Sequence, residues 1–390
     1  MVAATLAAGV VIAMQVGKVA PALPQLRAEL ALGLVAAGWV VSIISATAAL
    51  LGIASGGVVE GLGRRRTLIG GLACLAAGAL LGAFADTGAA LLASRFLEGL
   101  GFVVASVAAP SLIVAASHPR HHNLALGLWG AYMPTGMAIV TAASPFLLAP
   151  MGWRAMWQAN AVLVVLVLVL LLLVTRAIGP SERRRISLKA MAADVRLGMS
   201  RPGPWLLGAC FASYTLQWVS LMAWLPTYLI EEQGRSLVQS VLLTALAIAV
   251  NAPGNLTAAW LLHRGAQRWL LIAGASAAMA LLAVGALWPG APDPARYAMC
   301  LAFSYIGGML PAAVLASAPV HAPRPALIGI ANGAIVQGAN LGSLMGPPAL
   351  AAVVAVTGGW HGSSWGLGAM GLAGVALALT LRAVERRSSN

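Results

Sequence analysis

The sequence predicts an all-α membrane protein, with twelve transmembrane helices in two pseudo-symmetric bundles of six. Three observations carry that expectation. Of the 390 residues, 60% are hydrophobic and only 8% are charged, whereas soluble domains carry roughly 25% charge. Twelve segments approach or exceed the roughly 20 apolar residues that a span needs. The longest polar stretch, Arg176 to Pro204, falls after the sixth of them.

The expected spans in the first half are Val2–Ala20, Leu34–Ser55, Thr67–Ala85, Ala89–Ala116, Leu124–Ala149 and Trp157–Thr175. Those in the second half are Trp205–Ile230, Ser236–Leu262, Trp269–Trp288, Tyr297–Val320, Ala326–Val356 and Ser364–Leu381. Met1 leads directly into an apolar run, with no basic stretch before it and no small-residue cleavage site. That run reads as the first membrane helix and not as a signal peptide. Cys74, Cys210 and Cys300 all fall inside apolar runs, where cysteine behaves as a small core residue.

The formal charge of +13 points away from nucleic acid, because the charges cluster in loops between apolar runs. Their distribution sets the orientation. The loops after even-numbered spans, together with the C-terminus, hold 17 of the 23 Lys and Arg residues; the opposite side holds Arg27, Arg154, Arg235 and Arg296. Both termini are therefore expected in the cytoplasm. The domains expected are an N-terminal bundle at 1–175, a cytosolic linker at 176–204 and a C-terminal bundle at 205–390 with a short cytosolic tail. Within the linker, Ser187 to Met199 reads as an amphipathic piece on the membrane surface.

The two halves resemble each other at an offset of 202 residues. Gly63, Arg66 and Leu68 match Gly265, Arg268 and Leu270, while Gly127 and Gly136 match Gly329 and Gly338. Two six-helix repeats are an architecture of membrane transporters.

Between spans 2 and 3 runs GGVVEGLGRRR, Gly56 to Arg66. Glycines permit a tight turn there, and Glu60 is a lone acid beside three arginines. The pattern Gly-x-x-x-acid-x-x-Gly-basic-basic resembles the loop between helices 2 and 3 of the major facilitator superfamily. Gly56, Glu60, Gly63, Arg64 and Arg65 fill its positions. Glu stands where Asp is commoner, and Gly61 replaces the usual basic residue. Arg95-Phe-Leu-Glu-Gly99-Leu-Gly101 in span 4 is similar to the superfamily's R-x-x-x-G-x-G, and Gly152-Trp153-Arg154 to its external G-W-R. Trp224-Leu-Pro-Thr-Tyr228, and Gly338 to Pro348 with Asn340, resemble the cyanate, nitroimidazole and organic-anion branches. The resemblance implies the twelve-helix major facilitator fold and secondary active transport by alternating access, in a bacterial inner membrane. It gives the turn motif the role of a conformational gate.

Charged residues inside a membrane are expensive, so each is a functional candidate. Lys18 sits near the outer end of span 1; it either captures an entering anion or snorkels to the headgroups. Arg95 and Glu98, three apart, share a helix face and are either a proton-coupling pair or a structural one. Neutral candidates for lining a substrate site are Gln15, Trp129, Tyr132, Tyr214, Gln217, Trp218, Tyr305, Gln337 and Asn340. Taken singly, each of them reads first as helix–helix glue or an interface aromatic. Prolines 134, 145, 253, 311, 319, 347 and 348 are expected to kink their helices.

No nucleophile–base set and no phosphate-cradling loop occurs in the sequence, so neither catalysis nor a cofactor is expected. His118, His121 and His122 lie close together, but no Cys or carboxylate stands beside them, and no metal site is expected. The function expected is transport of a small anion or weak organic acid, with protons as the candidate coupling ion, by a monomer in the bilayer. The alternatives are efflux of a neutral or hydrophobic compound, and a transport-dead sensor or scaffold that keeps the fold.

Overall fold

The computed structural model describes residues 1–50, 63–118, 121–175, 188–324 and 327–389. These residues form helices and no strands. The helices are α1 Val2–Gly17, α2 Val19–Glu29, α3 Leu34–Ser42, α4 Arg64–Ala83, α5 Gly88–Ala116, α6 His122–Gly130, α7 Tyr132–Ala143, α8 Pro145–Val174 and α9 Leu188–Gly198. They continue as α10 Pro202–Glu231, α11 Leu237–Ala249, α12 Asn251–His263, α13 Arg268–Ala286, α14 Asp293–Gly307, α15 Met309–Leu315, α16 Ala318–His321, α17 Ile328–Thr357 and α18 Gly362–Ser389. Among the described residues, ten stretches are long and apolar enough to cross a membrane, and Leu34–Leu50 is a shorter apolar helix. The successive helices α6 and α7 occupy the place of span 5. Each of the twelve expected spans has a helical counterpart among the described residues, although the helix of span 6 begins twelve residues earlier, at Pro145, that of span 1 runs on to Glu29, and residues 51–55 of span 2 lie outside the described residues.

Most of the interruptions have one chemical cause. Lys18, Ala131, Ser144, Val250, Gly308 and Ser317 each separate two consecutive helices. Each precedes a proline by one to three residues: Pro21, Pro134, Pro145, Pro253, Pro311 and Pro319. Proline lacks the N–H that would bond the preceding turn, and its ring crowds the carbonyl four residues back. Pro347 and Pro348 behave otherwise and lie within an unbroken α17. The expected kinks at those two are not seen as helix breaks.

The chain divides into two compact units. One holds Met1–Leu188 with Ser236–Ala245; the other holds Lys189–Arg235 with Leu246–Asn390. In the first unit α4 packs along α5 and α8, while α1 packs on α7, α8 and α5. In the second, α10 packs along α17 and α18, and α13 along α18 and α14.

The α10–α17 seam shows why glycine is spaced as it is. Gly338, Gly342 and Gly346 recur every four residues and form one face of α17. A Cβ at Gly346 would come within 2.5 Å of the Leu216 carbonyl oxygen, and one at Gly342 would meet the Ala212 carbonyl. Without side chains the two backbones can approach this closely, which is how packing is gained where lipid offers no hydrophobic drive.

Gly56 and Glu60 of the turn motif lie outside the described residues. Of its remaining members, Gly63 has φ +87°, in the region glycine enters without strain. The arginines after it find acceptors on the protein. Arg65 Nε donates to Thr175 Oγ1 at 2.8 Å, and Arg64 Nη1 to the Ser111 carbonyl at 3.4 Å.

Candidate functional site

The first unit encloses a cluster of three charged side chains, none of them with any exposed surface. Lys18, where α1 meets α2, places Nζ 2.9 Å from Glu98 Oε1 and 2.8 Å from Gln15 Oε1. Arg95 donates through Nη1 to the other oxygen of Glu98 and, at 2.8 Å, to the Gln15 carbonyl. Its Nε reaches the Val40 carbonyl at 3.2 Å. The helix period explains the local part of this. Gln15 and Lys18 share a face of the first helix, and Arg95 and Glu98 share a face of α5. Gly78 of α4 packs on the Glu98 side chain.

Two further residues complete the surroundings. Lys18 Nζ lies 4.7 Å from the centroid of the Trp157 ring, within cation–π range. Gln15 Nε2 lies 3.4 Å from Asn160 Oδ1, and Asn160 in turn donates to the Met156 carbonyl. The cluster therefore ties together the helices of spans 1, 2, 4 and 6. Two cations face one carboxylate, and Arg95 Nη2 is buried with no acceptor. A buried polar group without a partner costs about 1–3 kcal/mol, more when charged.

The snorkelling alternative for Lys18 is not what the structure shows, since its side chain turns inward to the carboxylate. The other first-unit candidates stand apart from the charges. Trp129 and Tyr132 stack on each other with ring centroids 4.3 Å apart, and Trp129 lies against Gly9.

In the second unit the polar cluster is neutral. Asn251 Nδ2 donates to the Tyr214 hydroxyl at 3.1 Å and to the Ser304 carbonyl at 2.9 Å. Trp218 Nε1 donates to Ser304 Oγ at 2.8 Å, and the Tyr214 and Trp218 rings stack at 6.3 Å. Gln217, expected on the same face, bonds instead to the Ser213 carbonyl of its own helix, and its Oε1 is buried without a donor. Tyr305 pairs with Thr257 at 2.8 Å. Asn340 bonds back to the Val336 carbonyl, and Gln337 is half-buried on the same helix. Among the described residues, no hydrogen bond joins Tyr305 or Asn340 to the Tyr214–Trp218 cluster.

The sequence expectations missed Trp157 and Ser304 as site residues. Both are neutral, and only the spacing of Trp157 three residues before Asn160 hinted that it shares a face with a polar group.

Each unit also carries a clasp at the end of its first long helix. Glu29 accepts from Trp153 Nε1 at 2.6 Å and from Arg154, which also reaches the Ala85 carbonyl at 3.2 Å. Glu231, 202 positions later, accepts from Trp360 Nε1 at 3.1 Å. Both tryptophans follow a glycine of positive φ, Gly152 (+76°) or Gly358 (+72°).

The Major Facilitator Superfamily profile matches residues 5–347. The chain belongs to that superfamily. The chain is 27% identical to the cyanate transport protein CynX of Escherichia coli K12 over 318 residues, 80% of this chain and 78% of that one. It is 25% identical to the niacin transporter NiaP of Acinetobacter baylyi over 65% of this chain and 64% of that one. In fold it resembles the crystal structure of a D-xylose-proton symporter, with TM-score 0.75, 19% identity and 97% and 96% of the two chains covered. Superfamily membership places the chain among membrane transporters and agrees with the twelve-helix architecture.

Proposed function

We propose that this superfamily member is a secondary active transporter that moves a small anion or weak organic acid by alternating access, with a proton as the coupling ion. The observation that carries the reading is the dry cluster in which Lys18 and Arg95 face Glu98 alone and Arg95 keeps an unused N–H. A buried charge must be paired to be tolerated, and this cluster is one negative charge short. A solute anion supplies it. If Glu98 takes up a proton, the cluster is short by two, so proton and anion binding favour each other, reciprocally. Cyanate is a small anion and niacin a carboxylic acid, so the solutes named for the two relatives have the charge this cluster lacks.

In this reading Gln15, Trp129 and Tyr132 line the substrate path in the first half. Tyr214, Gln217, Trp218, Tyr305, Gln337 and Asn340 line it in the second. The turn from Gly56 through Glu60 to Gly63, Arg64 and Arg65 gates the conformational change. The protein works as a monomer in the bacterial inner membrane, with both termini cytoplasmic and residues 176–204 linking bundles 1–175 and 205–390. It performs no catalytic step. The neutral Tyr214–Trp218–Asn251–Ser304 cluster favours one rival, efflux of a neutral or hydrophobic compound.

Thermal melting of the purified protein against small anions, weak acids and neutral hydrophobic compounds separates the two, because a ligand that binds only the folded state raises the melting point. Stabilisation by an anion, stronger at acid pH and lost in Lys18→Ala and Arg95→Ala, is expected. Stabilisation by neutral compounds alone, unchanged in both variants, overturns the anion reading.

A further inference from the structure

The turn between α12 and α13 gathers three arginines and two tryptophans. Along α12, Leu256, Trp260 and Arg264 stand four residues apart and share a face. Leu256 is 70% and Trp260 50% exposed, an apolar stripe of the kind that meets lipid in a membrane-spanning chain, and it ends in a cation. The Arg264 guanidinium lies over the Trp260 ring, 4.2 Å from its centroid. On the far side of the turn, Arg382 of α18 lies over the Trp269 ring at 4.0 Å. The Trp269 indole N–H is fixed by Gln267 Oε1 at 2.7 Å. Arg268 opens α13 between these two pairs, and its Nε is buried with no acceptor.

Among the described residues no ion pair engages Arg264, Arg268 or Arg382, and α13 has no acid in its first turn. The free N–H groups there add to the positive field. The repeat supplies the contrast. In the equivalent turn of the first unit, Arg64 and Arg65 donate to Ser111 and Thr175. There the protein provides the acceptors; here two guanidiniums lie over indoles, which leaves their N–H groups for an acceptor from outside. A planar guanidinium matches two phosphate oxygens at once, and tryptophan marks the depth of the headgroups.

We propose that Arg264, Arg268 and Arg382, held by Trp260 and Trp269, bind the phosphodiester headgroup of an anionic phospholipid. Lipid is the source because the site is continuous with a lipid-facing stripe, and basic pockets at helix ends hold such headgroups. The assignment does not depend on which solute is transported.

The test is melting of the full chain in phosphatidylcholine nanodiscs with increasing cardiolipin, read as the dependence of melting temperature on lipid fraction. The wild type is expected to gain stability with cardiolipin and to lose that gain at high salt. Arg264→Gln/Arg382→Gln is expected to need about fivefold more cardiolipin for each guanidinium removed. Arg154→Gln, a charge lost elsewhere, is expected to keep the wild-type dependence. If the double variant does not fold, Arg264→Gln alone takes its place, since Arg264 is exposed. A wild type indifferent to cardiolipin overturns the proposal, as does a variant that matches the wild type or an Arg154→Gln control that shifts as far as the double variant. Inorganic phosphate giving the same stabilisation in pure phosphatidylcholine overturns the lipid source.

Discussion

The two units place the same helices around different chemistry. At the 202-residue offset, Gln15 corresponds to Gln217, Lys18 to Ser220, Arg95 to Tyr297 and Glu98 to Cys300. The amide is kept and every charge is gone. Gln15 Oε1 accepts from Lys18, whereas Gln217 Oε1 is buried and unused, and the Ser220 hydroxyl turns back to the Leu216 carbonyl. At the helix ends the pattern is the opposite, because Glu29 and Glu231 both take an indole N–H. What repeats is the part that holds a bundle together. Among its described residues the second unit has no fully buried ion cluster like that of the first, so the scaffold does not require one.

The comparison breaks most visibly at Glu98. In Glu98→Gln, Lys18 and Arg95 stay buried with no carboxylate, and removing one partner of a buried pair costs about 3–5 kcal/mol. Thermal melting of the purified protein is expected to show a loss of that order, with most of it restored in Lys18→Met/Glu98→Gln. Cys300→Ala, at the matching position, removes one small buried group and is expected to cost about 1 kcal/mol. Equal losses in the two single variants would mean that the charges add nothing to what any tight helix contact supplies.

The fold was legible because the bilayer imposes one rule on every span. Backbone polar groups must be satisfied within the helix, so long apolar runs such as Trp205–Ile230 translate directly into helices. The proline breaks were legible for the same local reason. Of the site, the Arg95–Glu98 pair could be read from its i, i+3 spacing. The contact of Lys18 with Glu98 spans 80 residues of sequence, and no local period encodes it. Trp157 and Ser304 carry no charge to betray them. Gln217 shared a face with Tyr214 and Trp218 by spacing, yet its amide bonds within its own helix, a choice that depends on the absence of a partner such as Lys18.

A smaller effect sharpens the comparison of the two seams. Gly342 corresponds to Val140 in the first unit, where the opposing Gly17 makes room: a Cβ there would lie 2.9 Å from Val140 Cγ1. In the second unit the backbone of α10 fills that room, so Gly342→Val is expected to cost about 2–3 kcal/mol through overpacking, read by melting. An unaffected variant would show that the α10–α17 seam accommodates a valine as readily as the α1–α7 seam does. Asn251→Ala comes next. It strips the Tyr214 hydroxyl and the Ser304 carbonyl of one donor, for about 1–2 kcal/mol, with little change in how the protein responds to anions.

The clasps are expected to show the smallest effect, and salt distinguishes them. Arg154 and Glu29 are partly exposed, with side chains 33% and 47% accessible, and ion pairs in such settings contribute about 0–1 kcal/mol. Glu29→Gln keeps an oxygen for the Trp153 indole and loses only the charge, so its cost should fall within that range and vanish in high salt as screening replaces the pair. Glu231 receives the Trp360 indole, a neutral donor, and His361 follows that tryptophan as Arg154 follows Trp153. Glu231→Gln likewise keeps an oxygen for its indole, and with a histidine where the first clasp has an arginine its loss is expected to depend less on salt. Melting curves of the two variants at low and high ionic strength decide the matter. A salt-dependent loss at Glu231 equal to that at Glu29 would make both clasps ionic and erase the difference drawn between them.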